Sequence, residues 1–276
     1  MKNNISMVIT DMDGTLLNNK GEISEENLSV IKKLKENDIK FAIATGRGKE
    51  PLCNFLDEYN ILDEVDYIIG MNGVNFYDIK SDESYDFDYL DEDIISDIYN
   101  HFKNYDVSFA VHEKNTVICS KKTDHTDLEC RVNKYDVREV QDFTSIINKK
   151  YPKLMIIGDK DVLDEVNERL SEINNGEFNF FRSHDYFLEI VKNNVSKGKA
   201  LLKLCKLKNI DISNVIAFGD NLNDVDMLKY SGWGIAVDNA HEELKNHARF
   251  VTKDNNDDGF AHACRQILNL DNIDKN

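Results

Sequence analysis

The chain has 276 residues and carries 51 acidic against 34 basic side chains, a net charge of −17. Its length suits one large or two modest domains, and 41% hydrophobic residues, with 14 Phe and 11 Tyr, suffice for a packed core. So acidic a balance argues against a general nucleic-acid binder, which needs a basic face, no apolar run approaches the roughly 20 residues of a membrane span, and Met1–Thr10 is not expected to be a secretory leader.

Ser6–Thr10 reads as a buried strand, because Met7-Val8-Ile9 has no polar face. Ser24 reads as an N-cap, with Glu25 and Glu26 in the first turn and Leu28, Ile31 and Leu34 following at helical spacing. Ile39–Ala44 is a second strand, ending at Thr45-Gly46-Arg47. Tyr67–Ile69 is a third, and Asn72-Gly73 is a strong turn signal. This β-α-β-α-β order predicts a parallel sheet with right-handed crossovers.

Beyond about Val74 the texture changes. Residues 78–93 are strongly acidic. Strand-like runs at 107–111, 117–119, 153–157, 178–181 and 187–191 then lie between helical stretches near 93–103 and 161–173. Because these do not alternate strictly, residues 81–191 are expected to form an inserted α+β module, with residues 1–80 and 192–276 forming the α/β core. From Ser196 the alternation resumes, with helices at 200–207 and 225–230, strands at 214–218 and 233–237, and helical pieces near 242–247 and 259–268.

Asp11-Met12-Asp13-Gly14-Thr15 leaves the first strand directly, and open α/β sheets bind ligands at the carboxyl ends of their strands. Two carboxylates two residues apart can divide the work, one as nucleophile or metal ligand, the other as acid and base. Gly14 lets the backbone turn tightly away from them. Alone, the pattern also fits a solvated acidic loop, and its spacing is not that of a calcium loop. Three further features fall at other strand ends: Thr45 with the Gly46 amide, Lys197-Gly198 opening a helix, and Gly219-Asp220-Asn221-Leu222-Asn223-Asp224. Singly they read as a helix cap, a solvated lysine and a polar turn. Together they mark a site.

The chain resembles the phosphatases of the haloacid dehalogenase (HAD) superfamily, in the Cof-type branch with a large α/β (C2-type) cap inserted after the third core strand. Four motifs carry the resemblance: DMDGT at Asp11–Thr15, TGR at Thr45–Arg47, KG at Lys197–Gly198 and GDNLND at Gly219–Asp224. MNG at Met71–Gly73, PKLMI at Pro152–Ile156 and FLEIVKNNVSKGKAL at Phe187–Leu201 add to it, as do AVDNAHEELKNHA at Ala236–Ala248 and VTKDNNDDG at Val251–Gly259. Asp238 departs from it, standing where glycine is common.

The resemblance implies a Rossmann-like parallel-sheet core in which Asp11 is the nucleophile and Asp13 the acid and base. Mg²⁺ is expected on the Asp11 and Asp220 carboxylates and the Asp13 carbonyl. Phosphoryl oxygens are expected on Met12, Thr45, Gly46, Lys197 and Asn223. Asp224 would orient Lys197, while Arg47 would face the substrate or pair with a nearby acid. The cap would act as a lid that reads the leaving group, with Arg182, His184 and His125 as candidate readers. The expected activity is hydrolysis of small phosphorylated metabolites through an aspartyl-phosphate, sugar phosphates first and phosphorylated cofactors second. A phosphomutase or phosphotransferase on the same scaffold, or a non-catalytic protein that binds such metabolites, are the alternatives.

The five cysteines, Cys53, Cys119, Cys130, Cys205 and Cys264, are scattered and contain no CxxC. That predicts reduced thiols in a cytoplasmic protein, without disulfides or a zinc site. A monomer or small homo-oligomer is expected.

Overall fold

A computed structural model describes residues 4–270. In it Met7–Asp11 (MVITD) forms β1, buried along its whole length, with Asp11 as its last residue. The chain continues through α1 (Glu25–Glu36), β2 (Lys40–Ala44), α2 (Lys49–Glu58), β3 (Tyr67–Gly70), β4 (Asn75–Asp78) and β5 (Glu83–Asp86). Next come α3 (Glu92–Phe102), β6 (Ser108–Glu113), β7 (Thr116–Cys119), α4 (Asp124–Asn133), β8 (Asp136–Glu139), β9 (Leu154–Ile157), α5 (Lys160–Ile173), β10 (Phe178–His184) and β11 (Phe187–Lys192). The last stretch supplies α6 (Lys197–Leu207), β12 (Val215–Gly219), α7 (Val225–Tyr230), β13 (Trp233–Ala236), α8 (Glu242–Lys245), β14 (Phe250–Val251) and α9 (Gly259–Leu268).

Eight strands form one sheet in the order β14-β13-β12-β1-β2-β3-β4-β5. The first six run parallel, and a buried strand such as β1 needs the cover on both faces that crossover helices give. Helix α1 shows how its sequence specifies one of them. Ser24 Oγ accepts the Asn27 N–H at 3.1 Å, and Val30, Ile31 and Leu34 share the buried face. Register then levels the strand ends. Asp11 pairs with Ala44, Ala44 with Ile69, and Thr10 with Phe218, so the loops leaving β1, β2, β3 and β12 start at one height.

The chain divides into two compact units. One runs to Lys49 and takes in Cys53–Asp86 and the residues from Ser196 on; the other holds Glu50–Leu52 and Phe87–Val195. This division falls a few residues beyond the expected 80 and 192. The antiparallel hairpin β4–β5 stays on the core sheet and carries the first unit to Asp86.

In the second unit six strands are ordered β10-β11-β9-β6-β7-β8, antiparallel except for β7 and β8. Phe109, Val111, Leu154, Ile156, Leu188 and Ile190 pack beneath α3 and α5. Alternate residues turn to the opposite face, and Ser108, His112, Lys153 and Glu189 are polar yet buried there. The turn at Asp238 forms without glycine because this residue is not among those with positive φ; its N–H donates to Lys253 O at 3.2 Å.

Candidate active site

After Asp11 the chain turns sharply through Met12–Leu16, with Gly14 at φ 85°. Glycine adopts that conformation without strain, and a side chain would also collide there, since a Cβ would stand 2.7 Å from Asp220 Oδ2. The turn is therefore pressed against the loop leaving β12. Thr15 Oγ1 donates to Asp220 Oδ1 and Asn239 Nδ2 to Gly14 O, both at 2.8 Å, so the turn is pinned from two sides.

Ser196 caps α6 by accepting the Lys199 N–H at 3.1 Å, and Lys197 follows it into the interior with 1% of its surface exposed. Its Nζ pairs with Asp11 Oδ1 and, at 2.8 Å, with Asp224 Oδ1. Asp224 Oδ2 accepts the N–H groups of Asp220 and Asn221, each at 3.2 Å. Both oxygens of Asp224 are engaged, which suits it to hold Lys197 and the Asp220 loop in place.

Oxygens of Asp11, Asp220 and Asp224 lie within 4.8 Å of one another, against one ammonium. Burial pushes the Asp11 carboxyl well above the usual carboxylate range; Lys197 opposes this, and Asp224, Asp220 and Asp13 add to it. Burial and then Asp224 push Asp220 up to about 6. For Lys197 burial acts downward, but Asp11 and Asp224 outweigh it and hold the ammonium above its ordinary value. Three enclosed acids and one cation leave a surplus of negative charge. A hard divalent cation relieves it, and the Asp11 and Asp220 carboxylates are the donors that fit.

Asp13 stands in a different environment. Its side chain is 58% exposed and is gripped by Arg47, Nη2 to Oδ1 at 2.6 Å and Nε to Oδ2 at 3.2 Å. In this structure Arg47 pairs with an acid, Asp13, one of the two alternatives open for it. The guanidinium also lies 5.6 Å from the Phe55 ring. The two carboxylates of the motif thus stand in contrasting surroundings, one buried against an ammonium and the other open beside a guanidinium.

Thr45 is buried at the end of β2, and its Oγ1 accepts the Arg47 N–H at 3.2 Å, leaving the hydroxyl proton to donate elsewhere. Met12 and Gly46 follow Asp11 and Ala44-Thr45 at adjacent, level strand ends. Asn223 Nδ2 donates to Asn72 Oδ1 at 3.1 Å. The structure therefore adds Thr15, Asn72 and Asn239 to the site. Thr15 and Asn72 lay inside motifs already singled out, but nothing local assigns them partners 205 and 151 residues away.

Within the second unit, His125 stacks on Tyr186 with ring centroids 4.1 Å apart and bonds Asp159 Oδ1 through Nε2 at 2.9 Å. His184 lies 5.3 Å from the same tyrosine. Arg182 is committed to Asp164 at 3.2 Å. Of the three candidate readers, the two histidines share an aromatic patch and the arginine is held by its own ion pair.

A sequence model of the haloacid dehalogenase-like hydrolases matches residues 8–264. The chain belongs to that family. A 5-amino-6-(5-phospho-D-ribitylamino)uracil phosphatase of Bacillus subtilis (strain 168), YwtE, is 28% identical over 95% of this chain and 97% of its own. The crystal structure of a haloacid dehalogenase-like hydrolase from Bacteroides thetaiotaomicron is 30% identical, with a TM-score of 0.84 over 95% of this chain and 99% of that one. A HAD subclass IIB sugar phosphatase, 21% identical, shares the fold at a TM-score of 0.80 over 96% of this chain and 99% of its own. Among the described residues no helix is long and apolar enough to cross a membrane.

Proposed function

We propose that the chain is a Mg²⁺-dependent phosphatase of small phosphorylated metabolites, sugar and sugar-alcohol phosphates first and phosphorylated cofactors second. One observation carries this reading: buried Asp11 meets Lys197 beside Asp220 at a strand end, and exposed Asp13 follows two residues later. The ribitylaminouracil phosphate named for the relative, a phosphorylated sugar-alcohol chain, supports the order of substrates. Five free cysteines accord with a cytoplasmic setting.

In this mechanism an Asp11 carboxylate oxygen attacks phosphorus and the ester P–O bond breaks. The departing oxygen takes the proton of Asp13. Asp13, now a carboxylate, removes a proton from a water that attacks the same phosphorus, and the bond to Asp11 breaks to release phosphate. Lys197, Thr45, Asn223 and the Met12 and Gly46 amides meet the phosphoryl oxygens, because phosphoryl transfer asks mainly for positioning and charge stabilisation. The Asp11 and Asp220 carboxylates with the Asp13 carbonyl would hold Mg²⁺, which would supply the positive charge an anionic nucleophile needs to approach an anionic ester. Arg47 keeps Asp13 in position through its two hydrogen bonds.

The test is phosphate release from a panel of hexose, pentose and sugar-alcohol phosphates, pyridoxal phosphate and flavin mononucleotide, with Mg²⁺, with EDTA, and with Asp11→Asn. Turnover that needs Mg²⁺ and vanishes in the variant is expected. Bound ester without free phosphate would overturn the reading, and phosphate recovered at a new position on the sugar would make the chain a mutase.

A further inference from the structure

The strand-end loops that carry the proposed phosphate-binding groups leave β1, β2 and β12, and Asn72 follows β3 in the same sheet. In the sheet β12 and β3 are separated by β1 and β2, three strand spacings or roughly 14 Å at 4.7–4.9 Å each. A side-chain hydrogen bond bridges the loops above that gap: Asn72, just past β3, accepts from Asn223, just past β12. We infer that Asn72 is a positioning residue of the phosphate site, setting which edge of the Asn223 amide faces a phosphoryl oxygen. This inference rests on the phosphatase reading above.

The chemistry of the contact is directional. A side-chain amide has one edge that donates and one that accepts, and the two are nearly equal in shape. Asn72 Oδ1 can only accept, so it selects the NH₂ edge of Asn223. One N–H of that group is then fixed on Asn72 and its twin is left to a phosphoryl oxygen. Without Asn72, the Asn223 amide can present its carbonyl to the ligand instead, and a carbonyl oxygen repels an anion.

Three further observations tie Asn72 to this place. Its side chain lies against Gly46, where a Cβ would meet Asn72 Nδ2 at 3.1 Å, and its N–H donates to Thr45 O at 2.9 Å. It therefore touches the β2 loop as well as the β12 loop. The backbone is held in an unusual shape to do so, with Met71 at φ 49° and Asn72 at φ 56°. Such left-handed residues persist where the surroundings demand them, and asparagine tolerates the conformation better than most. Finally, Gly73 at φ 103° lies so close to the start of α6 that a Cβ would stand 2.3 Å from Ser196 O, one residue before Lys197. A turn serving only to reverse the chain needs none of the side-chain contacts to Gly46 and Asn223.

The experiment is a double-mutant cycle of Asn72→Gly and Asn223→Ala, read by phosphate release in the presence of Mg²⁺ and by inhibition with inorganic phosphate. Glycine retains the left-handed backbone and removes only the amide, and thermal melts report whether each variant is folded. Each single variant is expected to lose about tenfold in kcat/KM, with a parallel loss in affinity for inorganic phosphate, and the double variant should match Asn223→Ala alone within about threefold. Losses that multiply, or an Asn72→Gly variant within threefold of the unaltered chain, would overturn the inference. Asn72→Ser, too short to reach Asn223, repeats the cycle should glycine impair folding. An unaltered chain that releases no phosphate from any ester would instead defeat the phosphatase reading itself.

Discussion

Among the described residues two lysines are almost fully enclosed, and they sit in different surroundings. Lys197, in the core unit, faces Asp11 and Asp224 with Asp220 beside them, three acids to one cation at the carboxyl ends of parallel strands. Lys153, in the inserted unit, pairs with Glu189 at 3.0 Å on the face of an antiparallel sheet, with Glu129 and the buried ring of His112 nearby. Glu189 lies within β11, away from the ends of its sheet. A buried ion pair is therefore not in itself the mark of a site. What distinguishes the core cluster is its larger surplus of acid, three carboxylates to one ammonium, at the strand ends from which loops leave; the other cluster sets two carboxylates against one ammonium on the face of a sheet.

Substitution of the two lysines exposes this difference most strongly. Lys197→Met leaves Asp11 and Asp224 buried without their ammonium. It is expected to lower phosphate release by at least about a thousandfold, and stability by roughly 3–5 kcal/mol in urea unfolding. Lys153→Met should cost a similar roughly 3–5 kcal/mol by stranding Glu189, yet the folded fraction should keep its kcat. The pair Lys153→Met/Glu189→Leu should recover most of that stability, since an apolar pair of similar volume often replaces a buried ion pair at little cost. Loss of kcat in that double variant would erase the distinction between the clusters.

Metal sharpens the comparison next. Saturating Mg²⁺ should raise the thermal midpoint, a stabilisation of about 2.7 kcal/mol at a hundredfold excess over Kd. The gain should persist in Lys153→Met/Glu189→Leu and disappear in Asp11→Ala/Asp220→Ala, with EDTA as the reference.

The smallest effect concerns pH and belongs to the inserted unit. Burial, and after it Lys153, hold the His112 imidazole below its ordinary 6.5, with Glu129 and Glu189 opposing. Below pH 6.5 the unfolded chain then takes up a proton that the folded chain refuses, so stability falls as pH drops, by at most about 1.4 kcal/mol per unit from this residue. His112→Gln should flatten that part of a stability-against-pH curve.

The two units were also unequally legible from sequence. Thr45 and Asp220 stand directly after unbroken apolar runs and Asp11 follows Met7-Val8-Ile9 with only Thr10 between, and a buried parallel strand announces itself in that way. Four strands escaped reading: β5 (ESYD) and β8 (DVRE) are edge strands with mostly exposed polar residues and no apolar period to detect, β14 (Phe250–Val251) is only two residues long, and β4 (NFYD) carries a polar residue at each end of a four-residue run. Helix α4 (DHTDLECRVN) is likewise too polar to show a stripe. The Lys153–Glu189 pair spans 36 residues and Asn72–Asn223 spans 151. Such contacts depend on register and strand order, and no local pattern encodes them.

The central claim is that Asp11 takes the phosphoryl group. Asp13→Asn, given p-nitrophenyl [³²P]phosphate, tests it directly, because that leaving group departs without an acid while release of the phosphoenzyme still needs a base. The account predicts protein-bound label approaching one per chain, stable in acid, removed by hydroxylamine, and absent from Asp11→Asn/Asp13→Asn. Label that persists without Asp11, or free phosphate released by Asp11→Asn at the rate of the unaltered chain, would contradict it.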